Sequence, residues 1–193
     1  MMTRLRLIVV ALLLGACATA PPRVSGEAWS VSALELCPGV HVSNAPATNA
    51  FRGILAYTPF TSVRGITVAR APVESCVSSA YGPRATSRRV AFHNGLDLYT
   101  GDPRAVVAGA GGRISFAGDQ RGYGLTVEIE HGRGVTTRYA HLSDLAPGVR
   151  EGQSIGAGTV IASTGRSGNA TAVHLHYEIL IDGRAIDPLR AGD

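Results

Sequence analysis

The chain has 193 residues, enough for one core and a short accessory segment; 45% hydrophobic content with 24 glycines describes a globular protein with many tight turns, not a disordered or collagen-like one. Its formal charge of +4 comes from arginine alone, 18 of them with no lysine, and they are scattered without a like-charged run, which excludes a nucleic-acid footprint. A balance this mild reads as ordinary solvated surface, although it would also suit an anionic polymer.

At the N-terminus, Arg4 and Arg6 precede an apolar run over residues 7–14 that meets Gly15-Ala16-Cys17. A basic start, a short apolar stretch and small residues make a signal peptide. The run falls far short of the roughly 20 residues that a permanent span requires. Leu14-Gly15-Ala16-Cys17 also resembles the lipobox of bacterial lipoproteins, which implies removal of residues 1–16 and a lipid anchor on Cys17. Ordinary secretory cleavage after a small residue is the alternative. Ala18 follows the cysteine, and resemblance to enteric lipoproteins, where an aspartate there favours inner-membrane retention, implies the outer membrane, facing the periplasm. Cleavage removes two of the 18 basic residues and none of the 14 acids, lowering the charge from +4 to +2.

Residues 17–85 read as an irregular accessory region, because Pro21-Pro22, Pro38-Gly39, Pro46 and Pro72 interrupt short apolar runs. Cys37 and Cys76 remain there as an even pair in an exported chain, which predicts a disulfide. The closed loop would contribute about 3 to 4 kcal/mol to a segment that reads as loosely packed. Neither cysteine has a Cys or His neighbour at zinc-site spacing, His41 being the nearest candidate.

From residue 86 to 193 the pattern is mainly β: short alternating stretches separated by glycine turns, with no amphipathic helix of ordinary length. In residues 125–130, Leu125, Val127 and Ile129 fall on one face of a half-buried strand and Thr126, Glu128 and Glu130 on the other. His131-Gly132-Arg133-Gly134 turns the chain, with His131 solvated at the turn. The alternation then resumes and places Val135, Thr137, Tyr139 and His141 together. Residues 174–181 alternate again, aiming His174, His176 and Glu178 to one face and Leu175, Tyr177 and Ile179 to the other. Asp182-Gly183 then predicts a type I′ hairpin.

Four of the six histidines stand in specific company: His93 with Asp97 in Phe92-His93-Asn94-Gly95-Leu96-Asp97, His141 in Tyr139-Ala140-His141-Leu142-Ser143, and His174-Leu175-His176. Imidazole nitrogen and carboxylate oxygen suit zinc, and a catalytic zinc site keeps one of four positions for water, so three protein ligands suffice. Each fragment alone has an ordinary explanation, as a capped turn or a half-buried histidine. Together, at strand ends of one small domain, they are hard to explain as packing.

These pieces, with Val106-Val107-Ala108, Gly111-Gly112, Gly122-Tyr123-Gly124, Gly152-Gln153, Gly165-Arg166, Tyr177-Glu178 and Asp187-Pro188, resemble the LytM/lysostaphin peptidoglycan endopeptidases over roughly half of the chain. The resemblance implies a small glycine-rich antiparallel β-sheet domain with one Zn2+ per chain. It implies His93, Asp97 and His176 as zinc ligands, with His141 and His174 facing a zinc-bound water and the scissile carbonyl. One of the two imidazoles would act as base and the other would steady the oxyanion; which does which stays open. Glu178 either orients a ligand imidazole or is a surface carboxylate. Ala172-Val173 departs from the Gly-Pro-like residues common in the family, which bears on the groove wall over residues 165–173.

The substrate so implied is the peptide cross-link of peptidoglycan, D-alanyl to diaminopimelate for a periplasm-facing lipoprotein. A rival reading is a regulator that activates a cell-wall amidase, or another division partner, without hydrolysis; such domains usually have gaps in the five positions, and here all five are filled. A structural lipoprotein with an incidental zinc site leaves His141 and His174 unexplained.

Overall fold

The structure, a computed structural model, describes residues 29–85 and 90–192. The leader over 1–16, the anchor at Cys17 and the boundary at residue 86 lie outside the described residues. Among the described residues every regular element is a strand. In chain order these are β1 (Phe60–Val63), β2 (Ile66–Ala69), β3 (Cys76–Ser79), β4 (Gly82–Ala85), β5 (Val90–His93), β6 (Leu96–Tyr99) and β7 (Ala105–Val107), then β8 (Gly112–Gln120), β9 (Gly124–Gly132), β10 (Val135–Leu145), β11 (Ser154–Ile155), β12 (Val160–Thr164), β13 (His174–Ile181) and β14 (Arg184–Ile186).

All of these strands pair antiparallel. Ten join one sheet, whose main path runs β11-β8-β9-β10-β13-β6-β3, with β12 joining β10 to β7 and β14 beside β13. β1-β2 and β4-β5 form separate two-stranded ribbons. Local chemistry sets the tight hairpins: Arg133-Gly134 (φ 53° and 73°) joins β9 to β10, and Asp182-Gly183 (φ 49° and 77°) joins β13 to β14. Positive φ at both central residues matches the right-handed twist of the flanking strands.

Alternation along the central strands sorts the sheet into two faces. Leu96, Leu98, Val127, Ile129, Val135, Tyr139, Leu175, Tyr177 and Ile179 are fully buried on one of them and form the core. Their burial removes apolar surface from water at about 25 cal/mol per Å². Two tyrosines bring hydroxyls into this core and both are satisfied: Tyr177 donates to the Ala69 carbonyl at 2.8 Å, and Tyr139 accepts from the Gly109 N–H at 2.7 Å. Gly109 is glycine because a Cβ there would stand 2.9 Å from the Tyr177 hydroxyl and 3.2 Å from that of Tyr139.

The expectation of a loosely packed region before residue 86 is corrected. Leu34, Leu36, Val42, Val63, Val68 and Val77 belong to the same buried cluster as the central strands. β3 is hydrogen-bonded to β6, so the large sheet reaches back to Cys76. Apolar side chains at these positions had nowhere else to be buried in a chain this small. Cys37 and Cys76 are joined by a disulfide, which fastens the segment around Cys37 to the start of β3.

Candidate metal centre

The face of the sheet opposite the core carries the polar residues of the same strands. In register across three neighbours stand Glu128 on β9, Arg138 on β10 and Glu178 on β13. One pair further along, Ala140 faces His176, which in turn faces Asp97 on β6. His93 ends β5 and Asp97 lies four residues on, past the turn at Gly95. Gly95 permits the close approach: a Cβ there would lie 2.5 Å from the Tyr177 carbonyl and 2.9 Å from the His176 ring.

Three donor atoms converge. His93 Nε2 lies 3.0 Å from Asp97 Oδ1 and 3.1 Å from His176 Nδ1, and His176 Nδ1 lies 2.8 Å from Asp97 Oδ1. The far side of each ring is already engaged. His93 Nδ1 donates to the Ala80 carbonyl at 2.9 Å, and His176 Nε2 donates to Glu178 Oε1 at 3.0 Å. With those protons placed, both inward nitrogens of the neutral rings present lone pairs to each other and to a carboxylate oxygen, an arrangement that repels itself unless a cation or added protons fill it. The donor set therefore fits a divalent metal, and two imidazoles with one carboxylate match the three-ligand pattern of a catalytic zinc site.

Without a cation, the carboxylate and the His176 imidazole favour one another's charged forms. For Asp97, burial opposes ionisation and is the largest single influence, yet hydrogen bonds and positive charge from His176 and His93 hold it well below the usual carboxylate range. For His176, burial likewise opposes the charged form, but bonds to Asp97 and Glu178 raise its pKa above the ordinary value. Glu178 is not a surface carboxylate: its side chain is 1% exposed and meets Arg138 at 2.5 Å and the Tyr123 hydroxyl at 2.8 Å. Arg138 also holds Glu128 at 2.7 Å and lies over the Tyr123 ring.

His141 and His174 stand beside this cluster with ring centroids 4.8 Å apart. His141 Nδ1 donates to the Ser167 carbonyl and His174 Nδ1 to the Ala172 carbonyl, both at 2.8 Å, which leaves each Nε2 as a lone pair. His174 Nε2 lies 3.7 Å from Asp97 Oδ1. The pKa of His141 is lowered, chiefly by burial, with the neighbouring His174 and His176 adding to the effect. Both residues line an open cleft of about 460 Å³ with His93, Asp97, His176, Arg84, Tyr123 and residues 169–171.

Two expectations are corrected here. His141 does not share the face of Val135, Thr137 and Tyr139: β10 shifts register between Tyr139 and Leu142, and His141 adopts φ 61°. The irregularity turns the imidazole out of the core alternation and into the cleft, a use of bulges common beside active sites. His131 is half-buried rather than freely solvated; its Nδ1 donates to the Gly111 carbonyl at 2.9 Å and its Nε2 meets the Thr137 hydroxyl at 2.8 Å. His41 is exposed. Sequence reasoning gave no role to Arg84, Tyr123 or Arg138. For Arg138 the signal was present, as a basic residue on the polar alternation between two strands that each offer a glutamate.

An all-β fold built on one ten-stranded antiparallel sheet, with a His-Asp-His cluster in an open cleft, is that of a metallopeptidase domain of LytM/lysostaphin type. The model of Peptidase family M23 matches residues 91–188, and the chain belongs to that family. The DD-carboxypeptidase/endopeptidase Mpg of Neisseria meningitidis is 41% identical over 98 residues, covering 51% of this chain and 22% of its own. The peptidoglycan DD-endopeptidase ShyA of Vibrio cholerae is 35% identical over 127 residues, covering 63% and 29%. The murein hydrolase activator NlpD of Escherichia coli is 34% identical over 122 residues, covering 63% and 30%. This chain thus spans less than a third of the length of these relatives. Among solved structures, a zinc-containing peptidase from Vibrio cholerae superposes with a TM-score of 0.59 at 30% identity, over 70% of this chain and 40% of that one. The catalytic domain of lysostaphin from Staphylococcus simulans gives 0.54 at 28% identity, over 59% and 89%.

Proposed function

We propose that this protein is a zinc-dependent endopeptidase that hydrolyses amide bonds in the peptide cross-links of peptidoglycan, with His93, Asp97 and His176 as metal ligands. The observation that carries the reading is the second pair of imidazoles. A closed structural metal site has no use for them, whereas His141 and His174 both line the open cleft beside the cluster, each with Nδ1 held by a backbone carbonyl.

When bound, Zn2+ would supply Lewis acidity to the scissile carbonyl and make water a competent nucleophile near neutral pH. The chain's own residues do the rest. One of His141 and His174 takes the proton of the attacking water, and the other steadies the oxyanion and returns a proton to the leaving amine. Backbone carbonyls of Ser167 and Ala172 accept from Nδ1–H of both rings and leave Nε2 as the working nitrogen, unprotonated in the ring that acts as base and protonated in the ring that steadies the oxyanion and donates to the leaving amine. Glu178 orients His176, and Arg138 balances the buried carboxylate.

A D-alanyl to diaminopimelate cross-link is the substrate we favour, supported by the DD-peptidase names of the two relatives above. In this reading residues 1–16 are removed, Cys17 carries the lipid that holds the protein in the envelope facing the periplasm, and the outer membrane is its site. Residues 17–85 form the accessory region and residues 86–193 the peptidase domain, with the accessory part lending β3 to the sheet and Arg84 to the cleft.

The similarity to NlpD favours a second reading, activation of a cell-wall amidase without hydrolysis. Zinc-loaded protein incubated with purified dimeric muropeptides distinguishes them. The endopeptidase reading predicts conversion to monomers and a loss of about 10² to 10⁴-fold in kcat for His174→Ala with zinc retained. Intact dimers together with stimulation of an added amidase would establish the activator instead.

A further inference from the structure

Arg84 comes to the cleft on the same ribbon as His93. In the β4-β5 register Gly82 faces His93 and Arg84 faces Ala91. Alternate residues of a strand project to one face, so Arg84 and His93 point the same way. The result is a division of the Asp97 carboxylate between two kinds of partner. Oδ1 turns to His93 Nε2 and His176 Nδ1, at 3.0 and 2.8 Å, while Oδ2 is held by Arg84 Nη2 at 2.9 Å.

The guanidinium is not placed to satisfy itself. Arg84 Nε is buried without a hydrogen-bond partner, an unmet donor that opposes this placement of the guanidinium. No other carboxylate among the described residues forms an ion pair with Arg84, whose side chain is 35% exposed against 15% for Asp97. The contact is thus made from the rim of the cleft inward, to one oxygen of one carboxylate.

We propose that Arg84 is a positioning residue for the metal centre: by holding Asp97 Oδ2 it presents Oδ1 alone to the cation and keeps the carboxylate from swinging both oxygens into the open side of the cluster. The proposal rests on the metal reading above. Glu178 and Arg84 then do matching work on two ligands, one fixing the His176 ring and the other fixing the Asp97 carboxylate. Groups of this kind change metal affinity or activity by about 10 to 100-fold when removed.

The test compares the full-length protein with Arg84→Met, which keeps the length and loses the charge and donors, and with Arg84→Lys, which restores one charged donor. Zinc affinity is read by competition with a graded chelator on folded protein, and unfolding temperature is read on the metal-free forms. The inference predicts zinc held about 10 to 100-fold more weakly by Arg84→Met, partial recovery in Arg84→Lys, and matching metal-free unfolding temperatures. Equal or tighter zinc binding in Arg84→Met overturns it, because repulsion of the cation would then outweigh orientation. A lower metal-free unfolding temperature with unchanged zinc affinity also overturns it, leaving Arg84 a purely structural role. A wild-type protein that takes up no zinc sinks the metallopeptidase reading itself, and this inference with it.

Discussion

The cleft around His176 and the cystine-stapled region before residue 86 rest on one hydrophobic core, and each carries a cavity. The larger cavity, about 810 Å³, is lined by residues 29–35 with Phe51, Pro72 and Val73; the cleft holds about 460 Å³. Size does not mark the site. In the cleft four imidazoles have one nitrogen fixed by a protein acceptor and the other turned to a shared space. In the larger cavity the carboxylates Glu35 and Glu74 face no such cluster among the described residues. Convergent lone pairs, held by partners behind them, separate a reactive region from a merely hollow one.

The sharpest way to break this contrast is His176→Ala. Zinc content is expected to fall from one per chain to almost none and muropeptide cleavage to fall below detection, read by elemental analysis and chromatography; retained zinc would show that the metal sits elsewhere. Glu178→Ala comes next. It leaves Arg138 buried beside Glu128 alone and frees the His176 ring, so stability should drop by about 3 to 5 kcal/mol in denaturant unfolding of the metal-free protein.

The stapled region should answer in the opposite way. Replacing Cys37 and Cys76 by serine opens a link between residues 39 apart and is expected to cost about 4 kcal/mol of stability while leaving zinc affinity unchanged. A large fall in zinc affinity would mean that the two regions are coupled through β3 and β6. The smallest effect is in pH dependence. Where His141 is the base its neutral form is the active one and its pKa is depressed, so the acidic limb of kcat assigned to it should lie below pH 6.5, the ordinary histidine value. A limb above 6.5 that His141→Ala removes would contradict that role.

Much of the site was legible because two local rules act on short stretches. Alternation in residues 174–178 was enough to put His174, His176 and Glu178 on one face and Leu175 and Tyr177 on the other: His176 and Glu178 meet Asp97 and Arg138, while Leu175 and Tyr177 belong to the hydrophobic core. Positive φ at Asp182-Gly183 follows from turn chemistry in the same way. What escaped depends on partners distant in sequence or on broken periodicity. His141 leaves the alternation because the chain bulges between Tyr139 and Leu142, where nothing in Tyr139-Ala140-His141 announces an extra residue. Arg84 matters only once β4 is laid beside β5 and opposite Asp97. The part of the sheet before residue 86 was hidden by its prolines, although β3 fits between them.

X-ray absorption at the zinc edge of the purified, zinc-loaded protein tests the central claim most directly. The three convergent donors predict a first shell of nitrogen and oxygen alone at about 2.0 to 2.2 Å, with outer-shell scattering from two imidazoles. A shell containing sulfur, one with three or four imidazoles, or a protein that holds no zinc at all would contradict it.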